Sequence, residues 1–280
     1  MTNTLKAIIN IIDNPSYQLM QKYQGRNRIN GIGDALERFI QDSFAATLTE
    51  TNEQQRLKKL ESVFSYLGNQ NNPPDMIIKQ GHAIEVKKIQ SLRSAIALNS
   101  SYPKSKLSSK DPSITSSCRN CENWSEKDIL YTIGVTNDQS LRHLWFVYGD
   151  CYAANQEIYT RIKATISQGV NSIDGVEFAE TKELGRVNKV DPLGITNLRI
   201  RGMWHIDNPM RVFDYLYQIN EQKAFSMACL MTKSKFNSFP LEDRNSLQTK
   251  PVQIETVKIK NPNNPANLID AVLVNFQVEE

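Results

Sequence analysis

The stretch PDMIIKQGHAIEVKKI, from Pro74 to Ile89, decides the fold. Two short β-prone runs, about Met76 to Ile78 and His82 to Ile89, flank Lys79, Gln80 and Gly81, which is hairpin punctuation. Side chains alternate along a strand, so Ile84 and Val86 are expected on one face and Glu85 and Lys87 on the other. Asp75 stands at the edge of the partner strand. The hairpin therefore brings an acid on one strand to an acid and an amine on the next.

Two carboxylates held close together repel. The pairing becomes favourable when a hard divalent cation such as Mg²⁺ lies between them and keeps part of its water shell. Asp75 and Glu85 are the expected metal ligands. A bound cation lowers the pKa of water and stabilises charge on a phosphorane, which is what phosphodiester hydrolysis demands. Lys87 is placed to hold or deprotonate the attacking water.

Upstream, Gly31 to Ala46 carries Leu36, Phe39, Ile40 and Phe44 at helical spacing, while Asp34, Glu37 and Gln41 share another face. Glu37 is the expected additional carboxylate, either a direct ligand or one acting through water. A second helix, Glu53 to Leu67, is expected from Leu57, Leu60, Phe64 and Leu67, before GNQNNPP breaks the pattern. Downstream, Ser91 to Lys127 is polar and long for an idle loop. DILYTIGVT (Asp128 to Thr136) and HLWFVYGD (His143 to Asp150) read as central strands. A helix from Ala154 to Ile166 follows, with Ile158, Ile162 and Ile166 on one face. Further strands are expected near Leu198 to Met203 and Phe225 to Met231, a helix over Met210 to Tyr217, and alternating strands in VQIETVKI and LIDAVLVNF.

The chain has 280 residues, 40% hydrophobic and 22% charged, close to the average of globular proteins, which excludes a collagen, a mucin stalk and a fully disordered chain. No run approaches the roughly 20 apolar residues of a membrane span, and the N-terminus lacks the pattern of a signal peptide. The expectation is a cytoplasmic protein without membrane contact. Four cysteines are too few and too scattered for a disulfide framework. Cys118 and Cys121 form a C-x-x-C without a second ligand pair, so they read as loop thiols before half a zinc site. His82 and His143 are read as solvent or strand-edge residues without a catalytic role, and Trp145 and Trp204 as core.

The net charge of +3 says little, but its distribution says more. From Lys79 to Lys110, seven basic residues face one acid, Glu85. From Lys182 to Arg211, six basic residues face three acids. Either window reads as a solvated surface or as a nucleic-acid footprint.

Helix, hairpin, two apolar strands and helix follow the order of the αβββαβ core of the PD-(D/E)xK nucleases, which this segment resembles. The whole chain is similar to the NgoPII-type Type II restriction endonucleases. The residues that carry this are GDALERFIQDSFA (Gly33 to Ala45), PDMIIKQGHAIEVKKIQS (Pro74 to Ser91), WSEKDILYTIGV (Trp124 to Val135), LRHLWFVYGDCYAA (Leu141 to Ala154) and GRVNKVDPLGITNLRIRGMWHIDNP (Gly185 to Pro209). The last block is the specific part.

The resemblance implies an α/β (α+β, mixed-sheet) fold, with a restriction-endonuclease-like core decorated by strands and loops for DNA recognition. With no internal repeat and no low-complexity linker, the expectation is one domain over 1–280, with a nuclease core at about 30–170 and recognition elements at about 88–125 and 182–211. The resemblance also implies Mg²⁺-dependent cleavage of double-stranded DNA at GGCC by a homodimer, with Asp75, Glu85 and Lys87 at the motif positions and a cognate DNA methyltransferase as functional partner.

Guanine is most often read by Arg or Lys through O6 and N7, so Arg186, Arg199 and Arg201 are candidate base readers, with Asn188 and His205 as further contacts. Arg199 and Arg201, two apart, share one strand face. Each arginine serves equally as a phosphate contact. Lys88, Arg93, Lys104, Lys106 and Lys110 are expected on backbone phosphates. Two other readings stay open: a repair or structure-selective nuclease of the same superfamily, and a non-catalytic DNA- or RNA-binding module.

Overall fold

Strict alternation at the centre of the chain builds a sheet that is covered on both faces. In the strand Glu126–Thr136, Leu130 points into one core and Ile129, Tyr131, Ile133 and Val135 into the other; in the strand Leu141–Tyr148, Leu144, Phe146 and Tyr148 oppose Trp145 and Val147. The computed structural model describes residues 1–15, 17–23, 31–69, 72–137, 139–174, 176–181 and 183–278.

The first half runs α1 (Thr4–Asp13), α2 (Leu19–Tyr23), α3 (Ile32–Ala45), α4 (Glu53–Val63), β1 (Phe64–Asn69), β2 (Asn72–Ile78), β3 (Ala83–Ile89), β4 (Ile96–Asn99), β5 (Lys106–Ser108), α5 (Ser116–Arg119), β6 (Glu126–Thr136) and β7 (Leu141–Tyr148). The second half runs α6 (Gly149–Tyr152), α7 (Gln156–Asn171), β8 (Glu177–Phe178), β9 (Gly185–Asn188), β10 (Leu198–Ile200), β11 (Trp204–Ile206), α8 (Pro209–Val212), β12 (Phe225–Thr232), α9 (Lys233–Ser238), α10 (Leu241–Gln248), β13 (Gln253–Asn261) and β14 (Asn264–Val278).

The main sheet has the order β1-β2-β3-β6-β7-β12-β14-β13, with β5 added beside β6. It is mixed and mostly antiparallel. Only β3 with β6 and β7 with β12 run parallel among its described pairs. A small sheet, β10-β9-β8, and the pair β11-β4 stand apart from it. This is an α+β architecture.

α3 lies where its sequence stripe puts it. Leu36, Phe39, Ile40 and Phe44 are buried, each contributing about 1.5–3 kcal/mol relative to exposure. The helix can approach the sheet closely because β6 carries Gly134 at the contact: a Cβ there would meet Leu36 Cδ2 at 2.6 Å. The far end of α3 is anchored by Asp42, which accepts from Arg56 Nε at 2.6 Å, Thr47 Oγ1 at 2.7 Å and Tyr23 Oη at 3.0 Å, all in buried surroundings.

Several expectations change. The helix expected to Leu67 stops at Val63, because Phe64 turns extended (φ −101°, ψ 136°) and pairs with Ile78 as the start of β1; Leu57 and Leu67 are exposed. The helix expected over Met210 to Tyr217 is the single turn α8, capped by the Asn208 side chain. The polar stretch from Ser91 is ordered as β4, β5 and α5. The Ile158, Ile162 and Ile166 face of α7 is exposed, and no described residue of that helix is buried. His82 and His143 are not solvent-facing but buried, His82 between Phe44 and Tyr148, His143 against Ser226 Oγ at 2.7 Å. No described helix is long and apolar enough to cross a membrane. Lys182, counted in the second basic window, lies outside the described residues.

Candidate active site

β2 and β3 pair antiparallel, with Met76 opposite Ile84, and this register sets Asp75 beside the Glu85-Val86-Lys87 segment. Asp75 Oδ2 accepts from the Val86 backbone N–H at 2.6 Å, which fixes its carboxylate across the hairpin. Lys87 Nζ lies 2.6 Å from Glu85 Oε1. Ile84 belongs to the core beneath α3, Val86 packs against it, and Ala83 and Ile89 enter the opposite core, so the alternation read from the sequence is present. The second Glu85 oxygen, Oε2, is buried with no hydrogen-bond partner among the described residues.

Burial raises the Asp75 carboxyl well above its ordinary value, and the Glu85 charge adds to this while Lys87 opposes it. Burial also raises Glu37, helped by Asp34 and Glu85. For Lys87 burial pulls the ammonium down, but Glu85, Asp75 and Glu37 outweigh it and the group stays above its ordinary value. Three carboxylates thus act on one another and on one protonated amine. Glu37 comes within electrostatic reach of the other three, with Oε1 accepting from Gln41 Nε2 at 3.2 Å.

Asp75, Glu85 and Lys87 open into a cavity of about 640 Å³. Asp75, Glu85 and Lys87 line it from the hairpin, Thr160, Lys163 and Ser167 from α7, and Glu183 and Arg201 from the segments around the small sheet. Glu37 is not among the lining residues. The donor set suits a hard divalent cation: Asp75 and Glu85 offer carboxylate oxygens, one of them buried and unpartnered. Among the described residues no three His, Cys, Asp or Glu side chains form a ready-made cage. An ion that keeps most of its water and uses one or two carboxylates fits this better than a fully protein-ligated metal. Cys118 and Cys121 are free thiols, the first buried and pushed up to about 12 by burial.

The candidate DNA contacts divide into groups. Arg186 and Arg199 are direct cross-strand partners in β9 and β10, and Arg201 follows Arg199 by two. Glu183 takes both later arginines: Arg199 Nε and Nη2 donate to its two oxygens at 3.0 and 2.8 Å, and Arg201 Nε donates to Oε1 at 2.6 Å. Asn188 ends β9, its Oδ1 buried with no hydrogen-bond partner among the described residues. His205 sits instead on β11, opposite Ala97 in β4, and lines a separate cleft with Tyr152 and Asp207.

Lys88, Arg93 and Lys110 are exposed. Lys106 pairs with Asp128 at 3.2 Å. Lys104 is buried, its Nζ 2.9 Å from Asp111 Oδ2, inside the cavity wall. Two residues that composition did not single out, Asp111 and Glu183, therefore join the site by pairing with a basic residue. Their signal in the sequence is only that Asp111 directly follows the first basic window and Glu183 stands at the start of the second.

The small sheet packs against α7 through Gly185, where a Cβ would meet Val170 Cγ1 at 2.6 Å. This contact sets the arginine ribbon beside the helix that walls the cavity.

The family model for the NgoPII restriction endonuclease matches residues 2–263. The chain is 49% identical over 278 residues to the Type II restriction enzyme NgoPII of Neisseria gonorrhoeae, covering 99% of this chain and 100% of that enzyme. No solved structure matches it. With sequence likeness spanning both proteins from end to end, and the carboxylates and lysine of the hairpin gathered in one cavity, the chain belongs to the NgoPII restriction endonuclease family and is a site-specific endonuclease.

Proposed function

We propose that this endonuclease hydrolyses both strands of double-stranded DNA at the palindrome GGCC, with Mg²⁺ as cofactor, through a PD-(D/E)xK core made of α3, β2, β3, β6, β7 and α7 in a single domain over 1–280. The observation that carries this reading is the meeting of Asp75, Glu85 and Lys87 in one cavity, with Glu85 Oε2 buried and unpartnered. An orphaned carboxylate oxygen in low dielectric is costly unless something positive joins it.

Asp75 and Glu85 would hold the cation, and Glu37 would orient water around them. When bound, the cation supplies a Lewis acid for the phosphate and a more acidic water. Lys87, kept protonated by its acidic neighbours, positions the attacking water and offsets charge on the phosphate. The Asp75 carboxylate is held in one orientation by the Val86 N–H. Arg186, Arg199 and Arg201 read guanine edges or grip phosphates from the β9-β10 ribbon, with Asn188 beside them.

A palindrome is matched by a two-fold dimer, so we infer a homodimer in which each subunit cuts one strand. A cytoplasmic location and a methyltransferase that protects the host site accompany that reading.

Digestion of unmodified plasmid DNA followed by sequencing of the fragment ends tests it. Discrete fragments ending at GGCC are expected with Mg²⁺ and none with EDTA. Asp75→Ala and Lys87→Ala should each lower cleavage at least about a hundredfold while duplex binding survives. A smear of fragments, or cutting confined to branched DNA, would overturn the assignment.

A further inference from the structure

Arg186 and Arg199, direct cross-strand partners, share one face of the β9-β10 ribbon, and Arg201, just past the end of β10, reaches the same carboxylate as Arg199. Like charges opposite one another in a strand pair destabilise it. The counter-charge is Glu183, two residues before β9. It takes three hydrogen bonds, a two-point contact from Arg199 and one from Arg201, and its side chain is only 18% exposed while the arginines are 57% and 61% exposed. Its backbone is also fixed: the Glu183 N–H donates to Thr181 Oγ1, and the Leu184 N–H to Ile200 O.

A carboxylate on a guanidinium occupies the donor edge that the same arginine would turn to guanine O6 and N7 or to a phosphate. DNA must therefore displace Glu183 before Arg199 can present its Nε–Nη2 edge, or Arg201 its Nε, to a base or a phosphate. Glu183 and Arg201 also line the cavity that holds Asp75, Glu85 and Lys87. The exchange takes place at the mouth of the reaction site.

We propose that Glu183 is a specificity-determining residue, which competes with DNA for Arg199 and Arg201 so that ordinary phosphate contacts win them poorly and the cognate site wins them well. A phosphate offers an arginine about what the carboxylate already offers. A cognate G·C pair offers a guanine edge for the arginine and, on cytosine N4, a donor for the released carboxylate. The proposal rests on the reading that these arginines bind duplex DNA.

The test uses the full-length chain and two variants, Glu183→Gln and Glu183→Asp. Binding is measured by fluorescence anisotropy in Ca²⁺ at several salt concentrations. One duplex carries the site at which the wild-type chain cuts plasmid DNA, and the other carries that site scrambled.

Glu183→Gln should bind the scrambled duplex about tenfold tighter at 0.1 M salt. Its slope of log K against log salt should steepen by about 0.9 per arginine freed for phosphate. Affinity for the cognate duplex should change far less, so discrimination falls, and the thermal midpoint should stay near that of the wild type. Glu183→Asp, which keeps the charge, should restore discrimination.

Unchanged or weaker binding of Glu183→Gln to the scrambled duplex overturns the proposal. A lowered midpoint with both affinities lost means that Glu183 only ties the ribbon together, and overturns it as well. If the wild-type chain binds neither duplex, the reading of the arginines as DNA contacts fails first and this proposal falls with it.

Discussion

Lys104 and Asp111 form an ion pair of 2.9 Å in the wall of the cavity, their side chains 3% and 5% exposed. Ser101 Oγ accepts from Lys104 Nζ at 2.9 Å, and the Tyr102 ring lies 4.2 Å beneath it. Asp111 accepts in addition from the Ser113 N–H and hydroxyl. Burial would raise the Asp111 carboxyl, but Lys104 and Ser113 hold it below its ordinary value. Lys104 is thus committed to holding the 100–113 loop in shape beside Glu85, where composition alone places it on a phosphate.

Breaking the pair strands a charge. Asp111→Ala should lower the unfolding free energy by about 3–5 kcal/mol, whereas Lys104→Met with Asp111→Leu should recover most of it. Urea unfolding of the single and double variants measures this. A loss below about 1 kcal/mol for Asp111→Ala would mean that water reaches the pair.

Acid should unfold the chain through two buried histidines. Burial pulls His82 down to about 3, with Lys235 adding to it, and pulls His143 down to about 4, with Arg142 adding to it. Both are depressed below the unfolded value of about 6.5. The unfolded chain therefore binds the extra protons first, and stability is full above about 6.5 and falls as the pH drops toward the folded values. Between pH 7.5 and 5 each should cost about 2 kcal/mol. Urea midpoints across that range check the slope, and His143→Gln should flatten part of it. A midpoint that holds steady down to pH 5 would contradict the burial of these rings.

Much of the site was legible because its signals are local. The alternation of Ile84, Glu85, Val86 and Lys87, and the stripe of Leu36, Phe39, Ile40 and Phe44, depend on neighbours within one element. What the sequence hid depends on distant partners. Asp111 meets Lys104 across a loop, and Glu183 meets Arg199 sixteen residues on. The isoleucine face of α7 shows the same limit: periodicity identifies the face, but the sheet and loops leave it outward while Thr160, Lys163 and Ser167 line the cavity. The α1 stripe of Leu5, Ile8, Ile11 and Ile12 packs into the core.

Asp42 offers a stability test remote from the chemistry. Its carboxylate serves Arg56, Thr47 and Tyr23 at once, with Asp42 and Arg56 nearly sealed from solvent. Asp42→Ala would strip the buried Arg56 guanidinium of its 2.6 Å partner and leave it only the 3.4 Å contact of Nη1 with the exposed Glu53 carboxylate, at about 3 kcal/mol. Because α3 also carries Glu37, cleavage should fall with the folded fraction. Activity per folded molecule, with the folded fraction taken from circular dichroism at the assay temperature, should stay within a few-fold of wild type. A much larger loss per folded molecule would show that the anchor also sets the position of Glu37.

Glu37 itself separates a water-orienting carboxylate from a direct ligand. It lies off the cavity lining, yet its charge is felt by Asp75 and Lys87. A group that acts through water and neighbouring carboxylates is worth about 10–100-fold in metal affinity or activity. Glu37→Gln keeps the shape and the contact with Gln41 but removes one of three mutually repelling charges. It should lower the cleavage rate by about 10–100-fold and raise the Mg²⁺ concentration for half-maximal rate, while the duplex Kd in Ca²⁺ stays close to that of the wild type. Glu85→Gln should abolish cleavage at every Mg²⁺ concentration. Equal, complete losses for the two variants would make Glu37 a direct ligand, and an unaffected Glu37→Gln enzyme would remove it from the reaction altogether.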